Sequence, residues 1–122
     1  TATALDTVAN NIIQLSGLGS SPGKVTGIAR VVIDPSEVSS LDNNQILVAR
    51  ETDPGWLFLM LSSKGIVVER GSMLSHTAIT GRKFGIPTVV SVAAATNIIK
   101  DGMRIEIDGS SGLVTVLGYD HE

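Results

Sequence analysis

The segment Gly71–Val90, GSMLSHTAITGRKFGIPTVV, contains the features that decide the fold of this chain. Ser75 is predicted to be the N-cap of a helix over His76–Phe84, because its hydroxyl can accept from the first-turn amides. Gly85 suits the left-handed stop after such a helix, and Pro87 cannot continue it. The apolar β-branched residues that follow are typical of a strand. A short helix leading directly into a strand indicates an α/β protein.

The rest of the chain predicts strands and short helices on both sides of this segment. Short apolar or alternating runs predict strands at Lys24–Asp34, Gln45–Ala49, Gly65–Glu69, Pro87–Val92, Met103–Asp108 and Gly112–Leu117. Further helices are predicted at Trp56–Leu61, after an Asp53–Pro54 start, and within Ala93–Gly102. Alternation in the middle and a hairpin at the end predict an α/β domain with mixed sheets and short helices.

The chain ends are expected to lie outside the main domain. A helix is predicted over Thr1–Ser16, although its start is polar, and the glycines, serines and proline of Gly17–Gly23 predict a loop or a linker. We therefore expect an N-terminal extension or linker over residues 1–20, the domain over residues 21–117, and a C-terminal tail over residues 118–122.

Composition excludes several classes of function. The chain has 122 residues, 43% hydrophobic and 3% aromatic, with a net charge of −3 and no cysteine. This predicts one domain with an aliphatic core, no disulfide or thiolate metal site, and no electrostatic footprint for nucleic acid or an anionic membrane. No apolar run approaches the roughly 20 residues that cross a bilayer. The N-terminus lacks the basic and apolar regions of a signal peptide, so we expect a cytoplasmic protein.

His76 is the candidate for chemistry, because the only other histidine, His121, is next to last. The first turn of a helix presents unpaired amides and a partial positive charge, which together favour anions. A neutral imidazole is a nucleophile, and a phosphoryl group that it accepted would sit against those amides. Hydroxyls of Ser75 and Thr77 could bind the phosphate oxygens, and Gly71 would let the loop backbone approach closely.

Local features leave other interpretations of His76 open. A lone histidine in a first turn can be an ordinary solvated residue. A serine hydrolase using Ser75 and His76 is disfavoured, because adjacent side chains at a helix start diverge and a nucleophile and its base must meet. A metal site is disfavoured as well, because no carboxylates are spaced to complete a ligand set.

The segment resembles the phosphohistidine motif in the mobile, swivelling domain of phosphoenolpyruvate-utilizing enzymes. That motif has two glycines, two variable residues, a hydroxyl residue, the phosphorylated histidine, a variable residue, Ala-Ile or Ala-Val, and later Ala-Arg. The matching positions are Gly71, Ser75, His76, Ala78, Ile79, Arg82 and the exit Gly85–Pro87. The similarity extends over about residues 21–117, including a turn threonine at Thr52.

Two positions depart from the motif: Ser72 replaces the second glycine, and Gly81 replaces the alanine before the arginine. Ser72 could crowd the phosphate loop formed with Gly71, whereas Gly81 is expected only to weaken the helix by about 0.5–1 kcal/mol relative to alanine. Arg82 lies six residues after His76 and so not on its face. The resemblance implies that Arg82 positions phosphate or anchors the helix. A structural salt bridge is an equal alternative.

The resemblance implies a swivelling β/β/α phosphohistidine domain. His76 would shuttle a phosphoryl group between a nucleotide-binding site and a phosphoenolpyruvate, pyruvate or other acceptor site. The implied partners are an ATP-grasp-type nucleotide-binding domain and a phosphoenolpyruvate-binding barrel, either or both, in cis or in trans. Magnesium and ATP or phosphoenolpyruvate would bind those partners, with no cofactor on this chain, which would be an incomplete phosphotransferase alone. The alternative is a non-catalytic swivelling module that binds or regulates a partner.

Overall fold

The computed structural model describes residues 13–119, which form one mixed sheet with three short α-helices. The strands are β1 Ile13–Ser16, β2 Leu18–Ser21, β3 Lys24–Val31, β4 Gln45–Ala49, β5 Gly65–Val68, β6 Thr88–Val90, β7 Met103–Asp108 and β8 Leu113–Tyr119. The helices are α1 Leu57–Ser62, α2 His76–Phe84 and α3 Ala95–Ile98, with 3-10 turns at Pro35–Glu37 and Pro54–Trp56. Within this range no helix has the length and apolar character needed to cross a membrane.

The sheet has a parallel centre and antiparallel flanks, in the order β1-β8-β7-β3-β4-β5-β6-β2. Strands β3, β4, β5 and β6 are parallel to one another. β7 is antiparallel to β3, β8 to β7, β1 to β8, and β2 to β6. The predicted α/β fold with mixed strand directions and short helices is confirmed.

The sheet curls until its two edges meet. β1 and β2 lie at opposite ends of the strand order, yet Gly17 alone separates them in the chain. Eight flat strands would hold those edges about 34 Å apart, whereas one residue spans less than about 4 Å. The Gly17 amide also donates to the Gly112 carbonyl at 2.8 Å, which joins the β1–β2 crossing to the β7–β8 turn.

Alternate residues of the central strands enter two separate cores. The enclosed core takes residues from β3 to β8 and from the α3 region: Ala29, Ile46, Val48, Val67, Val89, Val92, Ala95, Ile99, Ile105, Ile107, Val114 and Val116. The core beneath the outer helices contains Val32, Leu41, Leu47, Ala49, Trp56, Leu59, Met60, Ile66, Val68, Ala78, Ile86 and Val90. Burial on both faces explains why β4 and β5 are continuous apolar runs rather than alternating ones.

The predicted N-terminal helix is wrong where it reaches the described residues. Residues 1–12 lie outside them, but Ile13–Ser16 is a strand, with Ile13 opposite Val116 in an antiparallel pair with β8. The predicted loop over Gly17–Gly23 contains β2, which pairs with β6. The available edges of β8 and β6 satisfy this backbone, and that non-local pairing overrides local propensity.

The expected domain limits shift accordingly. The boundary between residues 20 and 21 falls inside β2, and the expected tail from residue 118 overlaps β8, which continues to residue 119. Residues 120–122 lie outside the described range. The folded unit therefore includes residues 13–119.

We predict that Gly109→Ala destabilises the fold where the edges meet. A Cβ at Gly109 would lie 1.7 Å from the carbonyl oxygen of Ser21, which is backbone and cannot rotate away. Overpacking of this kind costs about 1–3 kcal/mol or more. The urea midpoint of unfolding should fall clearly for Gly109→Ala and stay near wild type for Ser110→Ala, an exposed neighbour. Equal midpoints for the two variants would contradict the described closure.

Candidate functional site

The candidate site lies at the carboxyl ends of two adjacent parallel strands. β4 and β5 run in register, with Ala49 opposite Val68. The chain leaving β4 reaches Thr52, and the chain leaving β5 passes through Glu69 and the loop 70–75 into His76. Because parallel strands end at the same edge, the two segments meet there, as ligand sites in open α/β sheets commonly do.

Helix α2 begins and ends where the sequence predicts. Ser75 is its N-cap, accepting from the Ala78 amide at 3.5 Å and donating its own proton to the Ser72 carbonyl at 2.8 Å. Gly85 occupies the left-handed C-cap position with φ +68°. The cap fixes His76 as the first residue of the helix, and its ring lies between Thr52 and Thr80, the residue one turn further along α2.

Three buried threonine hydroxyls organise the imidazole of His76, which is itself half-buried. Nδ1 lies 3.1 Å from Oγ1 of Thr52, and Nε2 lies 3.3 Å from Oγ1 of Thr80. Oγ1 of Thr52 is in turn 2.7 Å from Oγ1 of Thr77. Both ring nitrogens are therefore within hydrogen-bond reach of hydroxyl groups whose own positions are fixed by burial.

The structure brings together four of the residues singled out from the sequence, in roles that partly differ from those expected. Thr52, the turn threonine of the resemblance, contacts the ring. Thr77 does not face the open side of His76: it is buried and supports Thr52 instead. Ser75 is committed to the cap, so its hydroxyl does not pair with the imidazole, and the arrangement lacks the contact that a serine hydrolase needs.

Sequence reasoning missed Thr80. Residues four apart on a helix lie one above the other on the same face, so Thr80 is the position from which a side chain on α2 can reach the ring of His76. That spacing was available in the sequence as a signal.

Arg82 anchors the loop that carries His76. Its Nη1 donates to the carbonyl of Ser20 at 3.1 Å and its Nη2 to the carbonyl of Met73 at 2.6 Å. These bonds join β2, α2 and the loop through backbone oxygens. Among the three roles considered for Arg82, the contacts with backbone carbonyls correspond to anchoring.

The loop before α2 is shaped by Gly71. Its φ is +124°, a value that side chains rarely adopt, and a Cβ there would lie 2.8 Å from Oγ of Ser75. Ser72 is exposed, and its hydroxyl accepts from the Leu74 amide at 3.2 Å, which tightens the turn. Gly71 thus makes room for the hydroxyl that caps α2, and Ser72 turns its own hydroxyl back onto the loop.

The loop and helix that carry His76 are basic, whereas Thr52 is flanked by Glu51 and Asp53, and Arg70 is paired with Glu51 at 3.8 Å. Residues 70–87 include Arg70, Arg82 and Lys83 and no Asp or Glu, in a chain whose net charge is −3. Glu69, just before the loop, accepts from the hydroxyl and the amide of Thr96; the hydroxyl bond is the main cause that lowers the Glu69 pKa, and nearby arginines add to it. A dianion on His76 would therefore meet no acidic side chain from its own helix or loop.

The part of the chain that forms the site matches a known protein family. The family described as "PEP-utilising enzyme, mobile domain" matches residues 41–112, which include β4, β5, Thr52 and the whole of α2. The chain belongs to this family. The membership confirms the resemblance read from the motif and the predicted fold class.

Named relatives agree with that membership. The chain is 41% identical to a probable phosphoenolpyruvate synthase of Staphylothermus marinus, over 85% of the chain and 14% of that protein. It is 46% identical to a rifampicin phosphotransferase of Bacillus cereus, over 83% of the chain and 12% of that protein. A solution structure of Enzyme I superposes with a TM-score of 0.55 at 31% identity, over 62% of the chain and 32% of that structure.

Gly81, one of the two departures from the motif, has a packing role that was not expected. A Cβ there would lie 2.2 Å from Oγ1 and 3.0 Å from Cβ of Thr88. The hydroxyl of Thr88 donates to the Ile86 carbonyl at 2.7 Å and so occupies the space that an alanine would need. Glycine at 81 therefore lets α2 approach β6 where the strand carries a threonine.

We predict that Gly81→Ala destabilises the domain by about 1–3 kcal/mol, because the new methyl group clashes with Thr88. In the double variant Gly81→Ala/Thr88→Ala the 2.2 Å contact with Oγ1 is removed, so the loss should be smaller than the sum of the two single losses by about 1 kcal/mol or more. Chemical denaturation of the four proteins measures this coupling. Strictly additive losses would show that the two positions do not compete for space.

Proposed function

We propose that this domain is a phosphoryl carrier that holds a phosphoryl group on His76 and moves it between catalytic sites on companion domains. The observation that supports it most is the imidazole of His76, held through both nitrogens by buried hydroxyls at the capped start of α2, within a family motif. Relatives named as a phosphoenolpyruvate synthase and a rifampicin phosphotransferase support phosphoryl transfer as the reaction class.

The transfer is a pair of displacements at phosphorus. The lone pair of one ring nitrogen of His76 attacks the donor phosphorus, an N–P bond forms, and the P–O bond to the leaving group breaks with its electron pair on that oxygen. In the second half-reaction an acceptor oxygen attacks the same phosphorus, and the N–P bond breaks with its electron pair returned to the ring. First-turn amides of α2 stabilise the phosphoryl charge in between.

We infer that Nε2 is the attacking nitrogen. The Thr52 hydroxyl has one proton and two neighbours, Nδ1 of His76 and Oγ1 of Thr77. If Nδ1–H donates to Thr52, then Thr52 donates to Thr77, and the lone pair remains on Nε2. With donation from Nδ1 to Thr52 and from Thr52 to Thr77, the ring is oriented through the 3.1 Å contact of Nδ1 and the 2.7 Å contact between the two buried hydroxyls. The longer contact of Nε2 with Thr80 is the one given up when phosphorus approaches.

Other residues of the motif position the carrier. Ser75 and Gly71 set the helix start, and Arg82 holds the loop through the Met73 carbonyl. Ser72 would contribute its loop amide beside the phosphoryl group.

Cofactors and partners belong to the companion domains. Residues 13–119 contain no group of three His, Cys, Asp or Glu side chains that could hold a metal. Magnesium and ATP or phosphoenolpyruvate would bind an ATP-grasp-type domain, a phosphoenolpyruvate-binding barrel, or both. The chain spans 12–14% of the length of the two named relatives, so these partners and the overall substrates are part of the proposal. We assign the reaction to the cytoplasm, where both phosphoryl donors occur.

We predict that His76→Ala abolishes phosphorylation. The chain is mixed with a phosphoenolpyruvate synthase relative from which the mobile domain has been deleted, and with phosphoenolpyruvate or ATP carrying labelled phosphoryl groups. Wild-type chain should acquire a label that is lost in acid and stable in alkali, and ³¹P NMR should report attachment at Nε2.

The second histidine provides the matched control. His121→Ala should be labelled like wild type, and labelling that survives in His76→Ala would overturn the assignment. Absence of label in the wild type, together with retained binding to the synthase by wild type and His76→Ala alike, would favour a non-catalytic interaction module instead.

We predict that Thr52→Val slows phosphorylation at saturating donor by about 3- to 10-fold, the equivalent of one neutral hydrogen bond. The valine keeps the shape of the side chain but cannot fix Nδ1. Thr52→Ser, which keeps the hydroxyl, should remain within about twofold of wild type, and rapid-quench measurements distinguish the two. Equal rates for both variants would remove Thr52 from the positioning of the ring.

A further inference from the structure

Helix α3 is capped by a side chain from another part of the sheet. The residue before it, Ala94, has no side-chain oxygen that could accept from the first-turn amides. The carboxylate of Glu69, which follows β5, takes this role: its Oε2 accepts from the amide of Thr96 at 2.8 Å and also from the hydroxyl of Thr96. Because a helix start leaves its first amides unpaired, Glu69 supplies a cap that the local sequence lacks.

The turn that leads into α3 is strained. Ser91 and Ala94 have φ of +62° and +61°, in the left-handed region that residues other than glycine rarely adopt. We call residues 91–94 the strained turn. Such a backbone persists only where the surrounding structure holds it, and it is found most often near functional sites. Here the amide of Val92 donates to the carbonyl of Val68 at 3.1 Å, and the Glu69 cap holds the far end of the turn.

The end of β6, from which the strained turn leaves, lies against the loop that carries His76. A Cβ at Gly71 would lie 3.6 Å from Cβ of Val90, the last residue of β6. On the other side of the loop, the amide of Arg70 donates to the carbonyl of Arg50 at 2.9 Å, two residues before Thr52. The start of the loop therefore lies between the chain leaving β6 and the chain leaving β4, and a shift toward either would alter the spacing of Thr52 and the imidazole.

Glu69 can act on the imidazole only through the loop. The ring nitrogens of His76 contact Thr52 and Thr80, and Oε2 of Glu69 contacts Thr96 instead. The hydrogen bond from the Thr96 hydroxyl is the main cause that lowers the Glu69 pKa, so the carboxylate is charged at neutral pH. Hydrogen bonds to a charged acceptor are roughly twice as strong as those between neutral groups, which suits Glu69 to hold the strained turn.

We propose that Glu69 is a positioning residue for His76. Its cap on α3 holds the strained turn beside the start of the loop 70–75 and thereby keeps the imidazole in contact with Thr52. This inference rests on the phosphoryl-carrier function proposed above, in which Thr52 orients the ring so that the lone pair lies on Nε2. Without the cap, the other tautomer of His76 gains population, and attack on phosphorus becomes slower.

The experiment measures the ring and the reaction separately in Glu69→Ala and Glu69→Gln. In a His121→Ala background the chain has one imidazole, so its ¹⁵N NMR resonances report which nitrogen of His76 bears the proton. The reaction is phosphorylation by phosphoramidate, which requires no companion domain. The ring nitrogen attacks phosphorus, the new N–P bond forms, and the original P–N bond breaks with its electron pair on the departing ammonia.

Positioning predicts a loss for Glu69→Ala that the amide of glutamine prevents. In Glu69→Ala the Nδ1 and Nε2 resonances should move toward each other, and the rate at saturating phosphoramidate should fall about 3- to 10-fold. Glu69→Gln retains an oxygen acceptor for Thr96 and should stay within about twofold of wild type. Adding Glu69→Ala to Thr52→Val should slow the reaction by no more than about twofold further, because both changes act through one contact.

The matched control is Gly109→Ala, which is expected to destabilise the fold at the closure of the sheet. At a temperature where it remains folded, its ¹⁵N resonances and its rate should equal those of wild type. If Glu69→Ala is unfolded by circular dichroism, Thr96→Val replaces it, since this change removes the hydroxyl donor alone and should slow the reaction about threefold.

Several results would overturn the positioning role. They are unchanged resonances and rate in Glu69→Ala, an equal loss in Gly109→Ala, a loss in Glu69→Gln as large as in Glu69→Ala, or full additivity with Thr52→Val. Failure of the carrier function looks different, because then the wild type would take no label from phosphoramidate, or the label would persist in His76→Ala. The ¹⁵N comparison uses no phosphoryl donor and so tests Glu69 in either case.

Discussion

The parallel pairing of β4 with β5 is the constraint on which the site depends. The two strands end level with each other, with Ala49 opposite Val68, so the chain segments that leave them share one edge of the sheet. That alignment sets Thr52 against the imidazole of His76 although 24 residues separate them in sequence. Both strands are buried on both faces, so a shift in register would expose apolar side chains on one side and crowd them on the other. The core and the geometry of the ring are therefore specified together.

The side chains around His76 fall into two groups: one fixes the backbone and the other contacts the imidazole ring. Ser75, Gly71 and Arg82 act on the backbone, through a helix cap, a positive φ and two carbonyl bonds. Thr52 and Thr80 act on the ring nitrogens. This division leaves the imidazole as the reactive group at the edge of the sheet, with the hydroxyls serving to orient it.

The sequence predicted the elements whose signals are local and missed those that depend on distant partners. The limits of α2 follow from Ser75 and Gly85, and the apolar runs of β4 and β5 are long enough to be read directly. β1 and β2 were missed because they are stabilised by pairing with β8 and β6, and no local sequence pattern predicts that pairing. At the site, His76 and Thr52 were identified from the motif, whereas the carbonyl partners of Arg82 and the packing of Gly81 against Thr88 exist only in the folded chain.

The antiparallel pair of β1 and β8 has a mechanical consequence. Ile13, where the described chain begins, lies directly opposite Val116, three residues before the described chain ends. Any polypeptide attached at either terminus would thus join the domain at nearly the same point, with neighbouring strands about 5 Å apart. A body tethered at one point by both of its ends can pivot through a wide arc without straining either tether. The pairing of β1 with β8 would therefore let the whole domain rotate about one edge of its sheet.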